Sequence, residues 1–267
     1  MKTAVAAVLT AVLVAQSTPR TDVRLPAETA GWDNVLAGLL SVFDRADVLA
    51  LGEAHGRSVD AELRLRLIRH PQFAAKVHSI VVEMSATSAQ RFGNPPYGGL
   101  FDAVREINQQ SPTTPLQVIA NDSPIGPQDR DAPAVAAIRD RVSKGDKVLV
   151  VYGSGHVWHR GGGVTSALDR LLPGRIFVAE VLAPAGTQRP GPESQALEQS
   201  LKALEDTVGS PSRPVLISLR GTRAAALVAN PFYLGQAMLP QSTTIGDLDD
   251  ACVYFGRTPD VGAPVAR

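Results

Sequence analysis

"VLVVYGSGHVWH", residues 148–159, decides how the rest of the chain is read. Val148 to Tyr152 is an apolar, mostly β-branched run of strand length, the pattern of a strand covered on both faces. It ends at Gly153-Ser154-Gly155, and His156 follows at once, with Trp158 and His159 behind it. The same design stands upstream in "VLALGEAHG", residues 48–56, where an apolar run meets Gly52, Glu53, Ala54 and His55. Both sites read Gly-x-x-His. In a parallel α/β sheet the ligand site lies beyond the carboxyl ends of the strands. A histidine three residues past such a glycine is therefore expected to aim back over the sheet edge. Gly52 and Gly153 are expected to turn the chain through conformations that a side chain would obstruct.

Outward from these two stretches, apolar runs of strand length recur at Ser79–Val82, Leu116–Ala120, Arg175–Val178, Val215–Leu219 and Ala251–Phe255. Helical spacing separates them, in Val59/Leu63/Leu67, Val135/Ile138/Val142 and Leu197/Leu201/Leu204/Val208, and precedes them in Trp32/Val35/Leu36/Leu39/Leu40/Phe43. Continuous apolar strands alternating with helices predict an α/β fold, a mostly parallel sheet flanked by helices on both faces. No internal repeat interrupts the pattern. Two Pro- and Gly-rich stretches, Gly93–Gly99 and Pro184–Pro192, read as surface connections or rims of a cleft. Residues 32–258 are expected to form a single α/β domain, after a flexible leader at 18–31 and before a tail at 259–267.

Composition bounds the partners. Lys plus Arg equals Asp plus Glu at 26 each, and aromatics make up 5% of 267 residues. Such a chain offers neither a basic footprint for nucleic acid or an anionic membrane nor a base-stacking platform. Cys252 is the one cysteine, which excludes an internal disulfide and Cys-based zinc sites. At the N-terminus, Met1-Lys2, an apolar stretch from Thr3 to Ala15, and then Ser17 and Thr18 follow the order of an export signal over residues 1–17. The stretch is too short to span a membrane, and it carries no lipobox cysteine. The expectation is a periplasmic or secreted bacterial protein without a stable membrane anchor.

The candidate site is what stands at the strand ends. Strand 48–51 gives Glu53, His55 and, further on, Arg57. Strand 79–82 gives Glu83, strand 116–120 gives Asn121 and Asp122, and strand 147–152 gives His156. Strand 175–178 gives Glu180, and strand 215–219 gives Arg220. Two imidazoles with a carboxylate form a borderline ligand set suited to zinc, manganese or iron, with positions left open for water. A bound metal would lower the pKa of that water and polarise a carbonyl. A metal-free alternative has His55 take a proton from water while Glu53 or Glu83 orients it. His156 is the second ligand or base in these readings. Arg57, Asp122, His159, Glu180 and Arg220 are assigned to substrate contacts or to support of the primary groups, with His159 at the rim. "YGSGH" is not a nucleophile elbow, because glycines directly flank Ser154. Gly161–Gly163 reads as a hinge, His70 and His78 as surface residues, and Cys252 as a small core residue.

At these residues the chain resembles the superfamily that joins the TraB/TIKI proteins, the haem-binding ChaN lipoproteins and the erythromycin esterases. "LALGEAHG" is similar to its first strand-loop motif, "IVVEM" (80–84) to its second strand ending in an acid, and "VLVVYGSGHV" to its second Gly-x-x-His. "IGDLDDACVYFG" (245–256) resembles the closing strand of bacterial members. The resemblance implies an α/β core with its cleft at the strand ends. It also implies metal ligation by His55, His156 and Glu83 in the TIKI manner, or a metal-free histidine base in the esterase manner. The motif departs from that of the esterases, because only Ala54 separates Glu53 from His55. The leading expectation is an exported hydrolase, metal-assisted, cleaving an ester, lactone or peptide bond in a small molecule or peptide. The alternatives are a non-catalytic haem- or iron-binding protein and a metal-free esterase.

Overall fold

In the computed structural model of the protein the described residues are 19–54, 57–84, 95–111, 113–121, 131–182, 192–209, 213–232 and 239–257. The export signal, His55, Asp122, most of 184–192 and the 259–267 tail lie outside them.

Among the described residues the seven apolar runs and one short edge segment form an open sheet of eight strands. They are β1 (Glu28–Ala30), β2 (Val48–Glu53), β3 (Ser79–Val82), β4 (Gln117–Ala120), β5 (Val148–Gly153), β6 (Ile176–Leu182), β7 (Val215–Ser218) and β8 (Ala251–Tyr254). Their spatial order is β1-β7-β8-β6-β2-β5-β3-β4, with β8, β6, β2, β5, β3 and β4 mutually parallel. Only β7 runs against its neighbours β1 and β8. The fold is therefore the α/β architecture expected, a mostly parallel sheet that does not close.

Side chains alternate across the sheet with the two-residue period of strands. Leu49, Leu51, Ile80, Val82, Leu149, Val151, Phe177 and Ala179 pack on one face. They meet α1 (Trp32–Ser41), α2 (Ser58–Arg69), α3 (Phe73–Lys76) and α4 (Pro95–Gln110) there. Val48, Ala50, Val81, Val148, Val150, Ile176 and Val178 pack on the other, against α5 (Ala132–Ser143) and α7 (Val164–Leu171). Helix α8 (Pro192–Glu205) and the short α9 (Ile245–Leu248) cover β7 and β8 on that side. Helix α1 buries Val35, Leu36, Leu39 and Leu40. Each such side chain taken from water stabilises the fold by about 1.5–3 kcal/mol.

Two connections place the site. From β2 the chain leaves to the α1–α4 face through α2, whereas from β5 it leaves to the opposite face through α6 (Ser154–Val157) and α7. Adjacent parallel strands whose connections part to opposite faces open a crevice at their carboxyl ends. Glu53 and Gly153 are register partners on those two strands, and Gly52 is flanked by Tyr152 on β5 and Glu180 on β6.

Several expectations are corrected. Residues 19–31 are not all a loose leader: Thr21 and Val23 are buried, Arg20 donates to the carbonyls of Asp247 and Asp249, and Glu28–Ala30 is the edge strand β1. Residues 95–99 belong to α4 rather than to a long loop. Glu180 lies inside β6, not past its end, because Val181 and Leu182 continue the strand. Neither Gly52 nor Gly153 is a left-handed turn: Gly153 has φ −55° and ψ 139°, and Gly52 is an ordinary strand residue. Gly52 is needed for space, since a Cβ there would come within 2.0 Å of Glu180 Oε1. Among the described residues no helix is long and apolar enough to cross a membrane.

Candidate functional site

His156 is carried on α6, the single helical turn that starts directly from the end of β5. Its ring Nδ1 lies 2.8 and 3.0 Å from the two carboxylate oxygens of Asp131. Asp131 occupies the N-cap position of α5, yet its side chain makes no capping bond to that helix. It serves the histidine instead. With Nδ1–H donating to a carboxylate, a neutral imidazole carries its lone pair on Nε2. That atom faces Glu83 Oε1 at 4.0 Å, while Glu83 Oε2 accepts from the Gly153 backbone N–H at 2.9 Å. Glu83 is buried, whereas His156 keeps 30% and Asp131 24% of the side chain exposed, so the histidine–aspartate pair meets solvent. Beneath it, a Cβ on Gly163 would come within 2.4 Å of the His156 carbonyl oxygen, so the glycine at the start of α7 lets the two backbones touch.

On the other side of the sheet edge stand the groups from β2 and α2. Glu53 is ion-paired with Arg64, both buried. Arg57 pairs with Asp60, from which its Nη2 is 2.9 Å, and also donates to the Val181 carbonyl at 2.9 Å. Asp60, Leu63, Arg64 and Leu67 form one stripe of α2, so the helix buries charge at its sheet-edge end and leucine below. Burial pushes the Asp60 carboxyl up to about 6, against the opposing hydrogen bonds and charge of Arg57. Between these two sides lies Glu180, wholly buried over Gly52, with Ser154 Oγ 2.7 Å from its Oε2. Burial pushes this carboxyl up to about 8, beyond the pull of Ser154 and Arg57.

Glu53, Glu83, His156, Arg57 and Glu180 are thus gathered at one edge of the sheet, whereas two of the expected contacts belong elsewhere. Arg220 follows β7, and because β7 is antiparallel its carboxyl end lies at the opposite edge of the sheet. It approaches Asp250 Oδ1 at 3.8 Å there. His159 is not a rim residue. Its side chain is 4% exposed, with Nδ1 2.7 Å from Asp169 and Nε2 2.8 Å from Asp250. Burial disfavours its charged form, but the two carboxylates outweigh burial and hold its pKa above the usual histidine value. The same contact holds Asp250 below the usual carboxylate range despite its own burial.

The residues present fit a metal only in part. His156 Nε2 and Glu83 Oε1 offer an imidazole and a carboxylate to the same space. Among the described residues no group of three potential ligands converges, and His55, the remaining member of the expected set, lies outside them. Sequence reasoning missed Asp131, Ser154, Asp60 and Arg64. Only Asp131 left a signal, as the acid directly before Ala132-Pro133 at a helix start. Asp60 and Arg64 stand between the apolar positions Val59, Leu63 and Leu67 that mark the helix, and nothing in that spacing shows that they are buried.

No family model matches the chain, and no curated protein matches it. Solved structures do. A Bacillus cereus protein superposes with a TM-score of 0.53 at 11% identity, covering 85% of this chain and 92% of its own. A mutant of the erythromycin esterase EreC in its open conformation gives a TM-score of 0.53 at 12% identity, over 87% of this chain and 95% of that one. The haem-bound ChaN of Campylobacter jejuni is similar over 59% of this chain and 87% of its own, at 12% identity and a TM-score of 0.36. The first two likenesses establish a shared fold, and the esterase is one of the groups that the sequence motifs resemble. The third is too loose to carry an argument.

Proposed function

We propose that the protein is a hydrolase of esters or lactones in which His156 is the general base. The observation that carries this reading is the Asp131–His156 pair, solvent-accessible at the switch point and aimed at a buried carboxylate. Nε2 and Glu83 Oε1 are 4.0 Å apart, a separation that one water bridges while donating to both. His156 takes a proton from that water as its oxygen attacks the acyl carbon. The imidazolium then returns the proton to the departing alkoxide, leaving a carboxylic acid and an alcohol. Asp131 fixes the tautomer and stabilises the imidazolium. The Glu53–Arg64 and Arg57–Asp60 pairs build a rigid wall opposite, with Arg57 tied to β6. The shared fold with an erythromycin esterase supports ester chemistry without specifying a substrate.

A divalent metal held by His156 and Glu83 together with His55 would supply Lewis acidity and a more acidic water when bound. The test separates these versions. A panel of chromogenic esters and lactones is assayed with and without chelator, alongside metal analysis of wild type, His55→Ala and His156→Ala. Activity that survives chelation and vanishes in His156→Ala supports the base. Activity lost on chelation and restored by zinc, manganese or iron transfers His156 to the ligand role. No hydrolysis, with a Soret band on haem addition, overturns the proposal in favour of haem binding. Export belongs to the same reading, carried by the charge, apolar stretch and small residues of positions 1–17. N-terminal sequencing of the mature protein tests it, and an intact Met1 on cytoplasmic protein would refute it.

A further inference from the structure

Ser154 Oγ lies 2.7 Å from Glu180 Oε2 and 3.3 Å from the carbonyl oxygen of Glu53. A hydroxyl has one proton and can donate to only one of these acceptors at a time. Both contacts become hydrogen bonds together when Glu180 is a neutral acid. Its O–H then donates to Ser154 Oγ, and Ser154 donates onward to the Glu53 carbonyl. An ionised Glu180 would claim the hydroxyl proton for itself and release the end of β2. Ser154 is the first residue of α6, two positions before His156, so this relay ties the turn bearing His156 to β6 on one side and to β2 on the other.

We propose that Glu180 is a positioning residue: through its relay with Ser154 and the Glu53 carbonyl it fixes the turn that carries His156. Gly52 is part of the device, because its missing Cβ is the space the Glu180 carboxyl occupies. The groups facing Glu180 divide. From α2 and its N-cap, Arg57 favours the ionised form and Asp60 opposes it. From the α6 segment, the Ser154 hydroxyl and the nearby Trp158 indole favour ionisation. From β8, the register partner Cys252 is a buried thiol whose own ionisation is suppressed by burial and by this neighbour. Burial outweighs the favourable contacts and keeps the proton on Glu180 up to about pH 8. The kinetic consequence rests on the reading of His156 as the base, whereas the geometric consequence does not.

The linkage has a definite sign. A carboxyl whose pKa is higher in the folded state gives stability that is complete below its unfolded value of 4.5 and is lost as pH rises through about 8. Across that window the unfolding constant of the wild type rises about tenfold per pH unit relative to Glu180→Gln. The amide N–H of that variant can still donate to Ser154, so the relay is kept without a titrating group. The decisive readout is the NMR signal of the His156 ring Cε1–H in the full chain between pH 5 and 9. Expected are a second inflection near pH 8 in wild type and none in Glu180→Gln. Ser154→Ala should resemble the alkaline wild type already at pH 6. An inflection that persists in Glu180→Gln, an unshifted ring signal in Ser154→Ala, or a Glu180→Gln chain that fails to fold would each overturn the proposal. If the ring signals behave as expected in a protein without hydrolytic activity, the relay stands and the assigned reaction falls.

Discussion

His156 keeps 30% of its side chain exposed and binds the carboxylate of Asp131 through Nδ1, whereas His159, three residues on, keeps 4% and has an aspartate on each nitrogen. One turn of chain thus delivers two imidazoles to different physical circumstances. In His159 both nitrogens are committed, and the ring is stabilised as a cation between two buried anions. It can neither accept a proton from a substrate nor bind a metal without surrendering one of those bonds. In His156 a carboxylate orients the ring and leaves Nε2 to face Glu83 across a gap a water can fill. Side-chain exposure and the number of buried carboxylates on the ring, rather than the residue type or its neighbourhood in sequence, separate the two histidines.

The largest effect that tests this contrast is on catalysis. Replacing His156 with Ala should lower kcat/KM for a responsive ester by a factor on the order of a hundred to ten thousand, the range for loss of a general base. Stability should fall by only about 1 kcal/mol, because the part-exposed side chain gives up its Asp131 hydrogen bond but little packing. A variant with full activity would remove His156 from the reaction.

Replacing His159 with Ala should do the reverse. It leaves Asp169 and Asp250 facing each other in the interior with no cation between them, a loss of about 3–5 kcal/mol. Urea denaturation measures it. The contribution of His159 is complete below the ordinary histidine value of 6.5 and fades as pH rises through its raised folded value. That of Asp250 is present above 3.8 and fades as pH falls through its lowered value. The difference between wild type and His159→Ala should therefore be widest in mildly acidic solution and shrink toward either extreme. A difference that grows with alkaline pH would show that His159 is buried neutral.

A smaller change is expected from Asp131→Asn, which keeps the shape of the carboxylate but not its charge. The imidazolium loses its stabilising partner and the ring its enforced tautomer, so kcat should fall about tenfold to a hundredfold with KM little altered. An equal fall in His156→Ala and in Asp131→Asn would mean the pair acts as one unit.

Much of this was legible in the sequence, and what was not has identifiable reasons. Parallel strands covered on both faces write themselves as unbroken apolar runs, so β2, β3, β5 and β6 were visible, and with them Glu53, Glu83 and His156 at their ends. Strand direction leaves no such trace. The segment from β7 to β8 contains the helical turn α9 and is as long as a crossover, yet it returns the chain antiparallel. Edge strand β1 is three residues long and partly exposed, too short to show a period. Glu180 is hidden for another reason: an acid inside a strand reads as a strand end, and only the Gly52 backbone opposite reveals the space kept for it. Asp131 is marked in the sequence only as the acid before a helix start, and its contact with His156 across the fold leaves no local pattern.

The smallest effect expected is that of Arg220→Ala, and it tests the direction of β7 most directly. In a sheet with β7 parallel to β2 and β5, Arg220 would stand with Glu180 and His156, and its loss would change KM or kcat. Here Ser218 pairs with Ala251 at the start of β8, which places Arg220 at the far edge of the sheet, beside Asp250. The contact is 3.8 Å long, and 38% of the arginine side chain is exposed, so solvent screens most of the attraction. Arg20 also approaches Asp250, at 3.5 Å, and His159 neutralises it from within, so its charge stays compensated when Arg220 is removed. Stability should fall by about 0–1 kcal/mol, with the loss reduced further at high salt, and ester hydrolysis should be unchanged. A kinetic effect of Arg220→Ala comparable to that of Asp131→Asn would contradict both the antiparallel course of β7 and the separation of the two histidine sites.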